Sequence, residues 1–413
     1  MSTTAIVVHY HELWLKGGNR RFFLSKLHYA LKNALEGLSV QRILRPGDRM
    51  LIEFGEDVKI EEAVARIERV FGIAYYAIAR KVPRHGDVLE ALADAAWEEV
   101  RGQAFSSFAV RAKRSDKSFP YRVIDLETSV GRALLERLRA QGRDVRVNLN
   151  APELTCRIEI PPGPDTLVYA RKIPGAGGLP PNTAGRMACL LSGGFDSAVA
   201  AHKLMKRGAH LTFVHFWGGG AQPGESSVHT ARNLVRQLVP WQFSAKLFLV
   251  PFEPIQREIV QRAPEEFRIL LYRRMMLRIA ERIARSNRCL GLITGDSLGQ
   301  VASQTLHNLA AVGAAARLPL YRPLVGDDKM EILALAKKIG TYEISAEPFH
   351  DCCRIFLPRN PALHATTEDL DQAEAGLDLE KLVDDGASSA TLERYRYTMG
   401  RVEQTQSMRS TAA

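Results

Sequence analysis

The chain has 413 residues, enough for two or three domains with substantial cores. Hydrophobic residues make up 46% and charged residues 25%, and no uninterrupted apolar run approaches the roughly 20 residues that a membrane helix needs. The N-terminus has no basic segment followed by a long apolar core, so no signal peptide is expected and the location is read as cytoplasmic. A net charge of +10 is compatible with an acidic partner such as nucleic acid, and equally with a generally basic surface.

Strand-like and helix-like pieces alternate from the start. "AIVVHY" reads as a strand, "GNRRFFLSKLHYALKNAL" as an amphipathic helix and "RMLIEF" as a second strand. "IEEAVARIERVFG" reads as a helix closed by Gly72, and "IAYYAIAR" as a third strand. This β-α-β-α-β order over residues 1–80 predicts a small ferredoxin-like α+β domain. In a second block, 81–172, the helices "DVLEALADAAWEEV" and "VIDLETSVGRALLERLRAQG" flank the strand "SFAVRAKR", and two further strands follow. Between residues 101 and 150 eleven Lys/Arg stand against five Asp/Glu. There "VRAKRSDKSFPYR" interleaves Arg111, Lys113, Arg114, Lys117 and Arg122 with Phe119 and Tyr121. Such a run suits phosphate contact with base stacking as well as it suits a solvated charged loop.

Residues 173–186, "IPGAGGLPPNTAGR", read as a linker or an ordered substrate-facing loop. From 187 onward the short apolar strands "MACLL", "AHLTFVHF", "KLFLVPF" and "CLGLITG" are separated by helices, which predicts an open, mostly parallel α/β sheet covered on both faces. That block is taken to residue 365. Residues 366–413 turn acidic and then polar, and are expected to form a partly disordered extension ending in "QTQSMRSTAA".

Inside the α/β block, "CLLSGGFDSAVA" (Cys189–Ala200) places a tight run of small residues between an apolar strand and a helix. Gly193 and Gly194 allow close approach of phosphate oxygens, and the helix start offers unsatisfied N–H groups to an anion. Ser192 and Ser197 add hydroxyl donors, and Asp196 can hold Mg²⁺ bridging the phosphates. The loop lacks the G-K-[ST] ending that grips a γ-phosphate. Its S-G-G-x-D-S pattern resembles the PP-loop of enzymes that cleave ATP between the α- and β-phosphates and leave AMP on a substrate oxygen.

The resemblance extends along the chain. "HELWLKGGNRRFF", "VRAKRSDKSFPYR", "GLPPNTAGR", "YRRMMLRIAERIA", "TGDSLGQVASQT", "YRPLVGDDKMEI" and "DCCRIF" occur in this order. Together they resemble the tRNA 4-thiouridine synthetase family, the tRNA sulfurtransferases, over roughly residues 5–365. The resemblance implies an α/β, Rossmann-like PP-loop ATP pyrophosphatase domain at 187–365, preceded by the ferredoxin-like domain and by a THUMP domain at 81–172 that binds tRNA. It implies ATP against Leu190, Leu191, Ser192, Gly193, Gly194, Asp196 and Ser197, with His215, Phe216, Arg273, Gly295 and Gln304 completing the nucleotide site. Lys329 would neutralise charge during adenylation. On residue type alone, Arg273 reads as a salt-bridged helix residue and Lys329 as a helix-entry lysine.

Five cysteines, Cys156, Cys189, Cys289, Cys352 and Cys353, show neither C-x-x-C nor zinc spacing, and the first three read as small core residues. The resemblance assigns the catalytic thiol to the adjacent pair, with Cys353 preferred and Cys352 the alternative. Adjacent Cα atoms lie about 3.8 Å apart, below the roughly 4.4 Å lower limit of ordinary disulfides. One cysteine is therefore expected to carry sulfur rather than bridge to its neighbour. Some family members carry the persulfide on a C-terminal rhodanese domain, whereas no cysteine follows Cys353 here. A cysteine desulfurase, acting directly or through a separate rhodanese, is then the expected sulfur donor, and the direct part in making the thiamine thiazole that the family otherwise implies is left open. Many members are dimers, so a homodimer is also implied, although no segment identifies an interface. Two other classes compete: a PP-loop synthetase or amidotransferase acting on a small molecule, and a non-catalytic tRNA-binding protein.

Overall fold

A computed structural model describes residues 4–55, 57–218, 227–347 and 360–409. The chain divides into two compact units after Gly178. Cys352 and Cys353, and most of the glycine-rich stretch after Trp217, lie outside the described residues.

The first unit runs β1 (Thr4–His9), α1 (Arg20–Ala34), β2 (Val40–Leu44), β3 (Arg49–Phe54), α2 (Ile60–Ile67), β4 (Tyr75–Pro83), α3 (Val88–Val100) and β5 (Ser107–Arg114). It continues through α4 (Val123–Ala140), β6 (Arg146–Val147), β7 (Leu154–Ile160), β8 (Asp165–Tyr169) and β9 (Ile173–Pro174). Its strands join in one sheet in the order β2-β3-β1-β4-β8-β7-β5-β6, with β9 also on β4. The division placed at residues 80/81 falls inside β4, which pairs with β1 on one edge and with β8 on the other. On that second edge β8 pairs with residues 80–83 of β4 and β9 with residues 75 and 76. Residues 173–178 are fastened rather than loose: Gly175 and Gly177 donate N–H bonds to Ala74 and Ile73 carbonyls at 3.0 and 2.8 Å. Gly175 lies so close to that strand that a Cβ there would sit 2.4 Å from the Ile73 oxygen.

Strands from both halves of this sheet meet in a sealed ionic cluster. Arg49 has no exposed side-chain surface and pairs with Glu159 and Asp48, while its Nη2 donates to Ser115 Oγ at 2.7 Å. Tyr169 donates to Glu159 at 2.6 Å, and His9 Nε2 lies 3.0 Å from the same carboxylate. Burial would raise the pKa of Glu159; His9, Arg49 and the Tyr169 hydroxyl outweigh it and hold the carboxyl below its usual range.

The second unit runs β10 (Arg186–Leu190), α5 (Phe195–Lys206), β11 (His210–Trp217), α6 (Ser227–Leu238), β12 (Ser244–Pro251), α7 (Glu253–Arg262), α8 (Arg268–Ser286) and β13 (Leu292–Ile293). It continues through α9 (Leu306–Gly313), β14 (Leu320–Tyr321), α10 (Lys329–Lys338), α11 (Tyr342–Ala346), α12 (Thr367–Glu374), α13 (Leu379–Ser388), β15 (Thr391–Thr398) and β16 (Arg401–Arg409). The sheet order is β14-β13-β10-β11-β12-β15-β16, parallel through β12 and antiparallel beyond it. Parallel strands buried on both faces need continuous apolar runs, which "LTFVHF" supplies. One helix layer is α5, α6, α10 and α11; α8 packs in the other with α7, α9, α12 and α13. Leu271, Met275, Ile279 and Ile283, four residues apart along α8, share a core with Val214, Phe248 and Val250 of the sheet. Each such side chain contributes about 1.5–3 kcal/mol on burial.

The expectation of a partly disordered extension at 366–413 is corrected through Arg409. Strand β15 pairs with β12 from Ser244↔Arg396 to Leu249↔Thr391, and β16 closes the hairpin. The acidic residues that follow position 365 serve α8: Glu374 accepts from Arg278 at 2.8 Å through both oxygens and lies 3.2 Å from Arg274 Nε. Arg282 reaches Glu380 at 2.9 Å and also pairs with Asp384.

Candidate active site

In a parallel α/β sheet, ligands bind beyond the carboxyl ends of the strands. Here those ends bring together Leu190–Ser192 after β10, His215 and Phe216 near the end of β11, Thr294–Asp296 after β13 and Arg322 after β14. The first turn of α5 and the first half of α8 complete a cleft of about 390 Å³. Val214, Phe216, Ile269, Met276, Val312 and Leu320 give its wall apolar surface, suited to a planar base. Ser192, Asp196, Ser197, Arg273, Gln304 and Arg322 add polar groups.

The loop between β10 and α5 is braced by its two serines. Ser192 N–H donates to Ser197 Oγ at 3.1 Å, the two hydroxyls lie 3.1 Å apart, and Gly194 N–H donates to Ser192 Oγ at 3.2 Å. Gly194, with φ −81°, gives α5 no side-chain cap, so the N–H groups of the first turn are available to an anion. Gly295 lines the cleft and also abuts the phosphate loop. A Cβ there would lie 2.6 Å from the Ser197 nitrogen and 2.7 Å from the Asp196 carbonyl carbon, so only glycine lets the strand end press on the loop. His215 is likewise spoken for, its ring nitrogens 2.8 Å from the Leu191 oxygen and 3.0 Å from Ser227 Oγ.

Ten of the twelve residues expected around the nucleotide line this cleft; Gly193 and Gly194 lie within the loop itself. Lys329, at the start of α10, donates to Asp196 Oδ1 at 2.8 Å, and Gln300 donates to Asp196 Oδ2 at 3.0 Å. Sequence reasoning missed Asp296, Ser303 and Arg322. Asp296 accepts from Thr294 Oγ1 at 2.7 Å, from Arg322 Nε at 3.3 Å and from Arg273 Nη2. Burial would raise its pKa; Arg273, the Thr294 hydroxyl and Arg322 outweigh that and hold it below the usual carboxylate range. The only sequence signal for these residues was their place inside quoted motifs.

The model of the thiamine biosynthesis protein (ThiI) family matches residues 182–379, that of the ThiI ferredoxin-like domain residues 5–77, and that of the THUMP domain residues 86–163. A protein of Thermus thermophilus named "Probable tRNA sulfurtransferase" is 43% identical over 383 residues, covering 93% of this chain and 92% of the relative. The chain belongs to the ThiI family. A like-named protein of Thermoanaerobacter pseudethanolicus is 38% identical, covering 92% of this chain and 97% of the relative. A 4-thiouridine synthetase crystallised with RNA and bound ATP superposes with a TM-score of 0.84 at 31% identity, covering 95% of this chain and 99% of that one. Among the described residues no helix is long and apolar enough to cross a membrane.

In this ThiI-family chain three of the five cysteines are buried thiols. Burial pushes Cys156 and Cys189 up to about 12 and raises Cys289 as well, which leaves them protonated and unreactive.

The ThiI chain's expected RNA-contacting residues lie in the first unit with mixed surroundings. Arg111, Lys113, Lys117 and Arg122 are exposed. Arg111 lies 3.7 Å from Glu127, Lys113 pairs with Asp48, and Arg122 bonds Asp125 at 2.9 Å in the cap of α4. Arg114 donates to the Phe119 and Tyr121 carbonyls at 3.2 and 3.0 Å, holding the loop's shape. Phe119 is only 5% exposed and packs in the core, so it offers no stacking surface; its neighbour Arg84 covers the ring instead. A second basic and aromatic surface escaped the sequence reading: α1 exposes Phe22, Tyr29, Arg21 and Lys32.

Proposed function

We propose that this chain is an ATP-dependent tRNA sulfurtransferase that converts uridine, at position uridine-8, to 4-thiouridine in the cytoplasm. One observation carries the reading: the braced S-G-G-x-D-S loop forms the wall of a cleft whose other walls suit a base and its phosphates. The apolar wall takes adenine, while the serine hydroxyls and the first-turn N–H groups of α5 face the pyrophosphate. The uridine C4 oxygen attacks the α-phosphorus; its bond to phosphorus forms as the bond to the pyrophosphate oxygen breaks. Arg273 neutralises charge on the phosphates, and Lys329 steadies Asp196 while adding positive charge beside the loop.

Asp196 fits the role of a Mg²⁺ ligand. Mg²⁺ takes one or two carboxylates and completes its shell with phosphates and water, and Asp196 is a part-exposed carboxylate on the cleft, with no cluster of three ligating side chains among the described residues. When bound there the ion would neutralise charge on the phosphates.

Sulfur then displaces AMP: the outer persulfide sulfur bonds to C4 as the C4–O bond to AMP breaks. A second thiol attacks the cysteine sulfur, breaking the S–S bond, releasing 4-thiouridine and leaving a disulfide for an external thiol reductant. The sulfur arrives as persulfide on Cys353, or on Cys352, loaded by a cysteine desulfurase directly or through a separate rhodanese. The inert state of the other three cysteines supports this assignment. The first unit grips tRNA through Arg111, Lys113, Lys117 and Arg122 together with the outer side of α1, giving affinity that falls with salt. The test combines tRNA-dependent pyrophosphate release from ATP with mass spectrometry of nucleosides after addition of a desulfurase. Release together with 4-thiouridine is expected. Release without tRNA would replace the reading by a small-molecule synthetase, and no release by a binding protein.

A further inference from the structure

The carboxylate of Asp296 is 6% exposed and sits between two guanidiniums, Arg273 at 18% and Arg322 at 21% exposure, all on the wall of the cleft. Each arginine has a second anchor. Arg273 Nη1 donates to the Ser303 carbonyl and hydroxyl at 3.0 and 3.2 Å. Arg322 Nη2 donates to the Leu309 carbonyl at 2.8 Å and rests against Gly313, where a Cβ would lie 2.9 Å from it. Two cations held side by side repel, and the carboxylate between them is what fixes their spacing. A buried ionic triad is seldom more stable than apolar side chains of the same volume. Its place on a cavity wall, with no hydrogen bond from Arg322 Nη1 to the described residues, points instead to an anion.

The position of the triad indicates which anion. Arg322 follows the apolar Leu320 by two residues, and Arg273 lies one helical turn before Met276 and Leu277, all of them lining the cleft. The arginine pair therefore stands beside apolar wall residues, and Asp296 directly follows Gly295, which presses on the Asp196–Ser197 backbone, so the triad lies where the apolar wall meets the serine loop. We propose that Arg322 is a second guanidinium contacting the α-phosphate of the nucleotide, and that Asp296 is a positioning residue that holds Arg273 and Arg322 as a matched pair. The proposal rests on the reading of this cleft as an ATP site.

The experiment is calorimetric titration of the full chain with ATP, AMP and adenosine. Failure of the unaltered chain to bind ATP would overturn the reading of the cleft itself. With ATP binding in place, Arg322→Gln is expected to weaken AMP and ATP alike by roughly 10- to 100-fold, the size of one charge-assisted hydrogen bond, and to leave adenosine within about threefold. Arg322→Lys should recover part of the loss by restoring charge without the planar fork. Asp296→Asn should reproduce the same AMP-over-adenosine selectivity, which a merely structural defect would not, since misfolding weakens both ligands. Equal losses for AMP and adenosine, or AMP binding unchanged in Arg322→Gln, would overturn the proposal. If Asp296→Asn does not fold, the Arg322 pair of variants decides it.

Discussion

Two buried arginine–carboxylate centres, one in each unit, have similar parts and different surroundings. Arg49 and Glu159 are closed off on every side, with Ser115, Tyr169 and His9 as further partners. Arg273, Asp296 and Arg322 share the same chemistry but open onto a cleft. Burial, a depressed carboxyl pKa and a dense set of partners describe both. What separates a cross-brace from a site is access to a cavity of ligand size, and the comparison warns against reading function from perturbed charges alone.

The contrast can be broken in measurable ways. Arg49→Met should cost about 3–5 kcal/mol of stability, because the buried Glu159 loses its guanidinium partner and keeps only His9 and the Tyr169 hydroxyl; urea unfolding measures it, and AMP affinity of the folded protein should not change. A loss of AMP affinity without a loss of stability would erase the distinction. In the cleft onto which the second centre opens the reverse holds: Asp196→Ala on the phosphate loop should lower tRNA-dependent pyrophosphate release by roughly 10²–10³-fold with the melting temperature unchanged. Glu374→Gln tests a third charged contact, the seat of α12 on Arg274 and Arg278, and should cost about 1.5–3 kcal/mol with AMP affinity preserved.

Acid should sharpen the picture of the sealed centre. Burial acts to raise the pKa of Asp48, but hydrogen bonds from Lys113 and Arg49 outweigh it and lower the pKa from 3.8 to about 2. A depressed carboxyl stabilises above its unfolded value, so this contribution is complete above about pH 4 and disappears as pH falls through about 2. Asp48→Asn should flatten the dependence of the urea midpoint over that window. The smallest effect is expected for Cys189→Ala, about 1 kcal/mol of stability with thiolation retained, whereas Cys353→Ser should keep pyrophosphate release and lose thiolation. Thiolation retained in Cys353→Ser would move the sulfur to Cys352.

Much of the site was legible because it is local. Leu190 to Ser197 are consecutive, and the small residues between an apolar strand and a helix carry the loop's chemistry at any position in a fold. The family motifs named Arg273, Gly295 and Gln304 without saying what they touch. Gly295 abuts the backbone of the phosphate loop as well as lining the cleft, and Phe119, whose setting among basic residues suited base stacking as well as a charged loop, lies in the core. The C-terminal hairpin was misread for a physical reason. An edge strand such as "RVEQTQSMR" needs no alternating apolar pattern, since its outer side meets water, and its pairing is supplied by the polar β15, which in turn pairs with β12, remote in sequence.

The amino-acid sequence by itself determined the alternation of strands and helices, the phosphate loop and the family, because hydrophobic period, small-residue runs and helix-start chemistry are properties of neighbouring residues. Only the tertiary structure decided that Arg273, Asp296 and Arg322 form one centre. They come from α8, from the end of β13 and from the end of β14, and meet because the parallel order β14-β13-β10 brings those strand ends to one edge beside the start of α8. Strand order is set by long-range pairing, which no local stretch of chain records.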